Sequence, residues 1–455
     1  MNNSSLPEKF RRKATPGIDR MSEVELVRHF TLLSRKNFGV DNGFYPLGSC
    51  TMKYNPKINE DMAALEGFTQ LHPLESEDSV QGMLRLLHEL ESYLCSIFGF
   101  DAFCLSPLAG AHGELTALFV AKAYFESLGQ IQRKKVIIPD SAHGTNPASC
   151  ATSGFEVLSV KSDADGGIDL ADLEKLLDDN VAVLMLTNPN TLGLFDRNIC
   201  SIAELLHSKG ALFYMDGANA NALLGKVLPS ELGFDMCHIN LHKTFSTPHG
   251  GGGPGAGPIG VIKKLEPFLP GSRIEKQGDR FRMCPPGKSS IGSVSTFYGN
   301  VGVMIKAYSY IRSLGAKGLR EVSENAVLNA NYMKERLKEH YYLPYDRACQ
   351  HEFVISAKWQ KEKCGVRALD IAKRLLDFGF HPPTIYFPLI VEEAMMIEPT
   401  ETESRKTLDS FIDAMIKIAQ ECKEDPELVR TAPHKTSIGR LNEVKAAKDL
   451  DLCQK

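Results

Sequence analysis

Residues 239–262 of this 455-residue chain read INLHKTFSTPHGGGGPGAGPIGVI, and the fold can be inferred outward from them. The apolar run at 236–240 predicts a strand that leads into a His-Lys pair, and a long glycine-rich turn follows. Burial at a strand end disfavours the charge of a lysine, so the amine of Lys243 can become a nucleophile toward a carbonyl group. The alternative is a surface lysine beside a flexible loop, since lysine is mostly exposed.

The glycines at 250–260 would let the backbone approach a flat ring and take positive φ angles at little steric cost. Pyridoxal phosphate is a flat carbonyl compound that condenses with lysine, so this turn could accept it. Gly255, Gly257 and Gly260 also satisfy the GxGxxG spacing of a dinucleotide-binding turn. That motif requires a helix directly after it, whereas the β-branched pair at 261–262 predicts a strand. The nicotinamide interpretation is therefore rejected.

Composition excludes several classes of function. The chain has 52 basic and 56 acidic residues and no basic run beside aromatic residues, so we expect no nucleic-acid partner. Its 11 cysteines show neither CxxC pairs nor metal-ligand spacing, which indicates reduced thiols and no metal site. The first residues, MNNSSLPEKFRRK, lack the apolar core of a secretory signal, and no apolar stretch is long enough for a bilayer. We therefore expect a cytoplasmic protein with no membrane partner.

The length of the chain predicts a large domain and a smaller one. Residues 1–75 are rich in proline and glycine apart from a helical pattern at 21–34, and are predicted to form an N-terminal arm. Such an arm has no core of its own, so Phe38, Phe44 and Tyr45 are expected to bury against a partner chain. Residues 76–310 are predicted to form the large domain and residues 311–455 a smaller C-terminal α/β domain.

Short apolar runs alternate with amphipathic helices in the large domain, which predicts an α/β fold with a mainly parallel seven-stranded sheet covered on both faces. The last strand follows its neighbour through the glycine turn without a helix, so we expect it to be antiparallel. The predicted strands are 102–105, 136–139, 156–160, 183–186, 212–215, 236–240 and 260–263, with helices at 79–98, 114–127, 170–177 and 202–207. Later predictions are helices at 301–311, 319–340, 368–378 and 403–422 and strands at 353–357 and 385–387.

Asp216 follows one of these strands, at the carboxyl edge where open α/β sheets bind ligands. It lies 27 positions before Lys243, which leaves room for a helix and one further strand. A carboxylate there can keep the nitrogen of a pyridine ring protonated. The alternative is an Asx turn or helix cap formed by the sequence DGAN.

A turn precedes the helix predicted at 114–127, in the sequence SPLAGAHGELTAL. The backbone amides of Gly110, Ala111 and His112 would be free at the start of that helix and could bind a phosphate group. By itself the turn could equally be an ordinary strand-to-helix connection. The nearby lysine favours the phosphate interpretation.

The sequence HKTFSTPHGGGGPGAGPIGV resembles the lysine segment of the glycine decarboxylase P-protein family, in its two-chain form. The resemblance extends to PLGSCTMKYNP (46–56), DSAHGTNPAS (140–149), YMDGANANA (214–222) and MIEPTETES (396–404), and so covers nearly the whole chain. It implies a fold-type-I, aspartate aminotransferase-like enzyme that uses pyridoxal phosphate. The implied activity is glycine dehydrogenase (aminomethyl-transferring), in which glycine is decarboxylated and methylamine passes to the lipoyl group of the H-protein. A first subunit is the implied partner.

The resemblance also implies roles for individual residues. Lys243, Asp216 and His143 would be catalytic, with the His143 ring stacked on the cofactor. Thr145, Asn190, Thr191 and His242 would contact the cofactor, although a solvated loop histidine and a core histidine remain alternatives for His143 and His242.

The sequence leaves the roles of two segments undecided, and it allows two alternative functions. The residues of PLGSCTMKYNP (46–56) by themselves favour a surface loop, whereas the family resemblance implies a loop that closes over the site. Its Cys50 is either an oxidisable thiol or a buried, inert one. TETES predicts a helix start with Thr400 or Thr402 as N-cap and Glu403 near the positive end. The alternative functions are another fold-type-I enzyme such as an aminotransferase, for which Arg347, Arg367 and Arg374 are candidate carboxylate ligands, or a catalytically silent scaffold subunit.

Overall fold

The computed structural model describes residues 7–14, 17, 20–248 and 255–450. The chain divides into a short unit that ends at Gly43 and a large unit that begins at Phe44. The short unit contains α1 (Glu23–Ser34), whose start is closed by a capping box between Ser22 and Glu25. The helical pattern predicted at 21–34 is therefore confirmed.

A central sheet dominates the large unit, and its strands are β1 (Ala102–Cys104), β2 (Lys135–Pro139), β3 (Glu156–Val160), β4 (Val181–Thr187), β5 (Leu212–Gly217), β6 (Met236–Ile239) and β7 (Ile259–Val261). Their order is β1-β7-β6-β5-β4-β2-β3. β7 is antiparallel to β1 and β6, and the other neighbours are parallel. The seven-stranded, mainly parallel α/β sheet with one reversed strand is thus confirmed.

Helices cover this sheet and continue to the end of the described chain. They are α2 (Lys57–Ala63), α3 (Glu66–Thr69), α4 (Gln81–Phe98), α5 (Gly110–Ser127), α6 (Thr145–Ser153), α7 (Leu170–Leu176), α8 (Ile199–Ser208), α9 (Leu241–Thr244), α10 (Val301–Leu337), α11 (Lys358–Cys364), α12 (Ala368–Asp377), α13 (Arg405–Glu424), α14 (Pro426–Arg430) and α15 (Glu443–Lys448).

The apolar core lies on both faces of the central sheet because its inner strands are apolar over most of their length. All residues of β4 and β5 are buried. Along β5, Leu212 and Tyr214 join one cluster of core side chains, whereas Phe213 and Met215 join another. This alternation follows from the two-residue period of a strand. The ends of these strands are therefore held by a sheet that is buried on both faces.

A second apolar core lies in the C-terminal part of the chain. It surrounds a three-stranded antiparallel sheet made of β10 (Phe353–Ser356), β11 (Thr384–Ile385) and β12 (Ala394–Ile397), in the order β10-β12-β11. The strand predicted at 353–357 is confirmed as β10. The one predicted at 385–387 overlaps β11 only at Ile385, because Tyr386 has a φ of 59° and ends the strand. The central strand β12 was missed, because a four-residue apolar run does not reveal its period.

A hairpin of β8 (Arg273–Gln277) and β9 (Arg280–Cys284) was not predicted. The two helices predicted at 301–311 and 319–340 are confirmed. Both correspond to parts of α10, and a kink at Gly315, with φ of 61° and ψ of −175°, separates them. Glycine adopts positive φ readily, so it permits this break.

The start of α13 also differs from the prediction. Its N-cap is Ser404, whose hydroxyl accepts the N–H of Thr407 at 3.2 Å, rather than Thr400 or Thr402. Thr400 has a φ of 62°. The hydroxyl of Thr402 accepts the N–H of Tyr54 at 3.2 Å, so a distant segment uses it instead.

Phe44 and Tyr45, two of the three aromatic residues that were expected to pack against a partner chain, make ring contacts within this chain. Phe44 is 3% exposed and packs edge-on against Phe411, with ring centroids 5.1 Å apart. Tyr45 stacks on His381 with centroids 3.8 Å apart. The expectation that Phe44 needs another chain to bury it is therefore wrong, because the C-terminal core buries it. Tyr45 is half-buried, and its packing against a partner stays a prediction. The predicted boundaries at 75 and 310 stay predictions.

None of the helices in the described residues is both long enough and apolar enough to cross a membrane.

Candidate functional site

Lys243 and Asp216 lie at the same edge of the central sheet. β5 and β6 are parallel neighbours, and their register pairs Asp216 with His238. α9 follows β6 after one residue and carries Lys243, so the lysine lies in a one-turn helix rather than at the strand end itself. Lys243 is 9% exposed, as the buried-amine interpretation requires.

Asp216 is a buried carboxylate with several stabilising neighbours. Its Oδ2 accepts the side-chain amide of Asn146 at 3.0 Å, and its Oδ1 accepts the N–H of Ala218 at 3.0 Å. Burial raises the pKa of Asp216, but His238, these two donors and Lys243 together outweigh it, so the pKa is lowered. The carboxylate is therefore ionised at neutral pH.

His238 is a site residue that the sequence analysis missed. Its Nε2 lies 3.5 Å from Oδ1 of Asp216, and its Nδ1 lies 2.5 Å from the hydroxyl of Tyr214. Both rings are buried. A polar residue within the apolar run MCHI was the available signal, but only the strand register reveals its partner.

Glu114 is a second residue that the sequence did not reveal. It is 3% exposed, and it accepts hydrogen bonds from the hydroxyls of Thr145 at 2.8 Å and Ser149 at 3.1 Å. Burial and the charge of Asp216 raise the pKa of Glu114 to about 7. Of the two nearby carboxyl groups, Glu114 is therefore the one that holds a proton more readily.

His143 stands at the start of α6, on an exposed part of the same edge. Its Nδ1 accepts the N–H of Thr145 at 3.2 Å, so the neutral ring carries its hydrogen on Nε2. The surrounding protein removes enough water to lower the pKa of His143, and the charge of Lys243 lowers it further, against the opposing effect of Asp216. All three predicted catalytic residues thus lie within electrostatic reach of one another.

The start of α5 has the features expected of an anion site. Its N-cap, Ala109, makes no side-chain cap hydrogen bond, so the amides of Gly110, Ala111 and His112 at the positive end of the helix are not capped by a side chain. Gly257 lies against this turn, where an added Cβ would come within 2.1 Å of the Ala109 carbonyl oxygen. Only glycine permits this close approach.

Asn190 and Thr191 lie in the loop after β4, and their side chains make hydrogen bonds that stabilise this loop. The Asn190 amide donates to the Gly166 carbonyl at 2.7 Å, and its Oδ1 accepts the N–H groups of Leu192 and Leu194. The hydroxyl of Thr191 donates to the Ser141 carbonyl at 2.5 Å. Contacts of both residues with a cofactor stay a prediction.

Part of the glycine-rich turn, residues 249–254, lies outside the described residues. At its described end, an added Cβ on Gly255 would lie 2.9 Å from Nδ1 of His242, so this ring packs against the turn. β7 follows as a strand, which confirms the rejection of the dinucleotide motif. The contact predicted between His242 and a cofactor stays a prediction.

The loop at 46–56 lies at the site and not on the surface. Nζ of Lys243 donates to the Ser49 carbonyl at 2.8 Å. The surface expectation drawn from its residues alone is therefore wrong, while the resemblance indicated its position. Burial raises the pKa of the Cys50 thiol to about 11, which favours the inert, protonated state over an oxidisable thiolate.

Lys53 ties this loop to the rest of the protein. It is 2% exposed, and its ammonium donates to the Asn221 side chain, the Thr244 carbonyl and Glu401 at 2.8–2.9 Å. The hydroxyl of Tyr310 lies 3.3 Å away. No sequence signal distinguishes this buried lysine from an ordinary exposed loop lysine.

Lys53→Met is expected to lower the free energy of unfolding by about 3–5 kcal/mol, because Glu401 would keep a nearly buried charge without its partner. Urea denaturation measures the change. Lys226→Met removes an exposed ion pair with Glu324 and is the matched control, with an expected loss below about 1 kcal/mol. Equal losses in the two variants would contradict the role of Lys53.

The arginines proposed for an aminotransferase do not support that alternative. Arg374 is held by Glu421 at 2.9 and 3.1 Å and by Asp377 at 2.9 Å. Arg347 donates to backbone carbonyls at 3.1 and 2.8 Å. Arg367 is the N-cap residue of α12. The first two are thus used in structural contacts, and none of the three has a contact with Lys243 or Asp216 in the described part of the chain.

Comparison with known proteins defines the class first. A family model described as aminotransferase class-V matches residues 114–361. A crystal structure of glycine decarboxylase (P-protein) of the glycine cleavage system, in inhibitor-bound form, superposes with a TM-score of 0.76 at 19% identity, over 91% of this chain and 94% of that one. A cysteine desulfurase from Thermococcus onnurineus NA1 gives a TM-score of 0.63 at 16% identity, over 89% and 100%. The chain therefore has the class-V aminotransferase fold.

The family follows from closer relatives. A protein named probable glycine dehydrogenase (decarboxylating) subunit 2, from Caldanaerobacter subterraneus subsp. tengcongensis, is 60% identical over 98% of this chain and 91% of its own length. A protein of the same name from Staphylococcus aureus is 58% identical over the same shares. A second family model, described as glycine dehydrogenase, C-terminal domain, matches residues 322–435. The chain belongs to the glycine dehydrogenase (decarboxylating) subunit 2 family.

Proposed function

We propose that this chain decarboxylates glycine with bound pyridoxal phosphate and passes the methylamine group to the lipoyl group of an H-protein. The activity is that of glycine dehydrogenase (aminomethyl-transferring). The proposal rests on the 60% identity to a subunit 2 protein across 98% of the chain. The lysine and aspartate at one edge of the sheet support it, because a decayed scaffold subunit would not need to keep them.

The residues at this edge fit the proposed cofactor. Lys243 supplies a buried amine for its carbonyl group, and the uncapped start of α5 supplies amides for its phosphate. Asp216, ionised by its neighbours, suits a protonated ring nitrogen. When bound, pyridoxal phosphate supplies a ring that accepts the electron pair released as a bond to the α-carbon of glycine breaks.

Each of these groups has a separate task in the proposed reaction. Asp216 keeps the proton on the ring nitrogen, and hydrogen bonds from Asn146 and the N–H of Ala218 fix the direction of its carboxylate. His143 offers the face of its ring to the cofactor, in an orientation set by Thr145. Lys243 accepts and returns a proton when it is not covalently engaged, with the Ser49 carbonyl as its hydrogen-bond acceptor.

A first subunit is the proposed partner, together with a lipoylated H-protein. The exposed apolar residues of α1 support a partner: Val24, Leu26, Val27, Phe30, Leu32 and Leu33 are each between 45% and 61% exposed. Such a concentration on one helix is uncommon on the surface of a monomer. A cytoplasmic location is proposed with it, supported by the free thiol state of all ten cysteines in the described part of the chain.

The test is to produce the chain alone and together with a candidate first subunit, and to measure glycine–bicarbonate exchange with lipoylated H-protein. We expect exchange from the co-produced pair and little or none from the lone chain, because the exposed apolar residues of α1 would be covered only in the pair. Full exchange by the lone chain would contradict the two-subunit proposal. A yellow pair without exchange would instead favour another reaction of a fold-type-I enzyme.

A further inference from the structure

The turn at residues 49–51 is held in an unfavourable backbone conformation beside Lys243. Ser49 has a φ of 62° and Thr51 a φ of 49°. Residues other than glycine rarely adopt such angles, and a β-branched residue such as threonine does so least readily. Surrounding contacts must therefore hold the turn in place. Its Ser49 carbonyl is the group that accepts the hydrogen bond of Lys243.

Two buried glutamates supply those contacts. Oε2 of Glu352 accepts the N–H of Ser49 at 2.6 Å, and Oε2 of Glu398 accepts the N–H of Thr51 at 2.8 Å. Both glutamates are completely buried. Glu352 directly precedes β10 and Glu398 directly follows β12, and these antiparallel strand ends are neighbours, so the small sheet presents both carboxyl groups together.

The second oxygens of these carboxyl groups face a buried histidine. One nitrogen of His351 and one oxygen each of Glu352 and Glu398 all lie within 4.8 Å of one another. Within the described residues, neither nitrogen of His351 nor Oε1 of Glu398 has a hydrogen-bond partner. Burial lowers the pKa of His351 to about 3, so the ring is neutral.

The glutamate pair retains a proton near neutral pH. Burial, followed by the charge of Glu398, raises the pKa of Glu352 well above its ordinary value. Burial also raises the pKa of Glu398 to about 7, against the opposing hydrogen bonds from Thr51. Two carboxyl groups this close do not readily ionise together, so the pair carries about one negative charge.

Lys243 faces charged and titratable groups on two sides. His143, Asp216 and His238 interact with it from the sheet edge. Cys50, His351 and the two glutamates interact with it from the side of the turn. Asp216 is the negative charge on the first side of Lys243, and the glutamate pair is the negative charge on this second side.

We propose that Glu352 and Glu398 are positioning residues for Lys243. Through the turn at 49–51 they direct the Ser49 carbonyl to the lysine amine, and their shared negative charge balances the ammonium that forms whenever Lys243 is not covalently engaged. This inference rests on the proposed function only in taking Lys243 as the reactive amine.

Glutamine variants of the two glutamates distinguish the effect of the carboxylate charge from the effect of the hydrogen bonds to the turn at 49–51. Glu398→Gln keeps an oxygen that can accept the Thr51 N–H but removes the charge of the pair. Glu352→Gln keeps an oxygen that can accept the Ser49 N–H and removes the glutamate that holds the shared proton. Glu393→Gln is the matched control. Glu393 is 8% exposed, lies at the opposite end of β12, and accepts the Ala368 N–H at 2.9 Å.

The test follows acetylation of Lys243 against pH in the full chain freed of cofactor, with peptide mass spectrometry as the readout. In Glu398→Gln, the pH at which Lys243 is half-reactive is expected to fall by about one unit, because a neighbouring negative charge is lost. Glu393→Gln should match the wild-type protein. An unchanged midpoint in Glu398→Gln would overturn the inference. Glu352→Gln removes the glutamate that holds the shared proton and leaves the charge of Glu398, so its midpoint is not expected to fall, and a fall in that variant would also overturn the inference.

A second readout tests the titration of Glu398 itself, separately from its effect on Lys243. The pKa of Glu398 is raised in the folded state from 4.5 to about 7, so its contribution to stability is largest at low pH and is lost as pH rises across that window. Glu398→Gln should remove this part of the pH dependence of unfolding, and an unchanged pH dependence would contradict the titrating pair. Failure of the proposed function is a separate result, since it would leave Lys243 without a covalent link to pyridoxal phosphate.

Discussion

Lys243→Ala is expected to lower glycine–bicarbonate exchange by about 10³-fold or more, because it removes both the covalent anchor and the group that accepts and returns a proton. The fold should remain, since the amine makes one hydrogen bond, to the Ser49 carbonyl, in the described structure. Exchange rates of the co-produced pair and circular dichroism of the variant measure the two effects.

Lys263→Ala is the control for this prediction. Its side chain is 81% exposed and, among the described residues, forms an ion pair with the neighbouring Glu266 alone, so its loss should leave exchange unchanged. A Lys243→Ala variant that kept exchange within tenfold of wild type would contradict the assignment of the reactive amine, since losing a catalytic group of this kind costs about 10²–10⁴-fold.

Asp216→Asn is expected to reduce turnover by roughly 10²–10³-fold with little change in KM, comparable to the loss of one preorganised electrostatic contact in an active site. An amide has no charge with which to keep a ring nitrogen protonated. The variant should fold, because its side-chain oxygen can still accept the N–H of Ala218 or the amide of Asn146. Steady-state kinetics of the pair give kcat and KM separately.

Asp235→Asn is a matched control for Asp216→Asn. Asp235 is 2% exposed and precedes β6, at the opposite end of the sheet from Lys243. Its carboxylate binds His207, Lys264 and the N–H of Phe213, so the variant should be less stable but should turn over normally when folded. Equal losses of turnover in both variants would indicate a general effect of disturbing the sheet.

Most of the fold could be predicted because it is specified locally. The apolar runs that became β4 and β5 are buried along their whole length, and the absence of a helix before β7 correctly predicted its reversed direction. β12 was not predicted because its short apolar run becomes a strand through pairing with the distant β10. The hairpin of β8 and β9 is local, and the two-residue loop between Gln277 and Arg280 was an available signal that the sequence analysis did not use.

The residues of the candidate site also fall into two groups, those that the sequence predicted and those that it did not. Lys243, Asp216 and His143 follow predicted strands, so their approach at one edge of the sheet follows from topology. Lys53 and Glu398 belong to contacts between segments more than 300 residues apart, where sequence spacing carries no information. His238 was visible only as a polar residue in an apolar strand, because its role depends on the register with Asp216.

Reduction of the protein with borohydride in the presence of pyridoxal phosphate, followed by peptide mass spectrometry, tests the central claim most directly. We expect a yellow complex in which reduction fixes the cofactor to the peptide that carries Lys243. Attachment to any other lysine, or to none, would contradict the assignment of Lys243 as the amine that binds the cofactor.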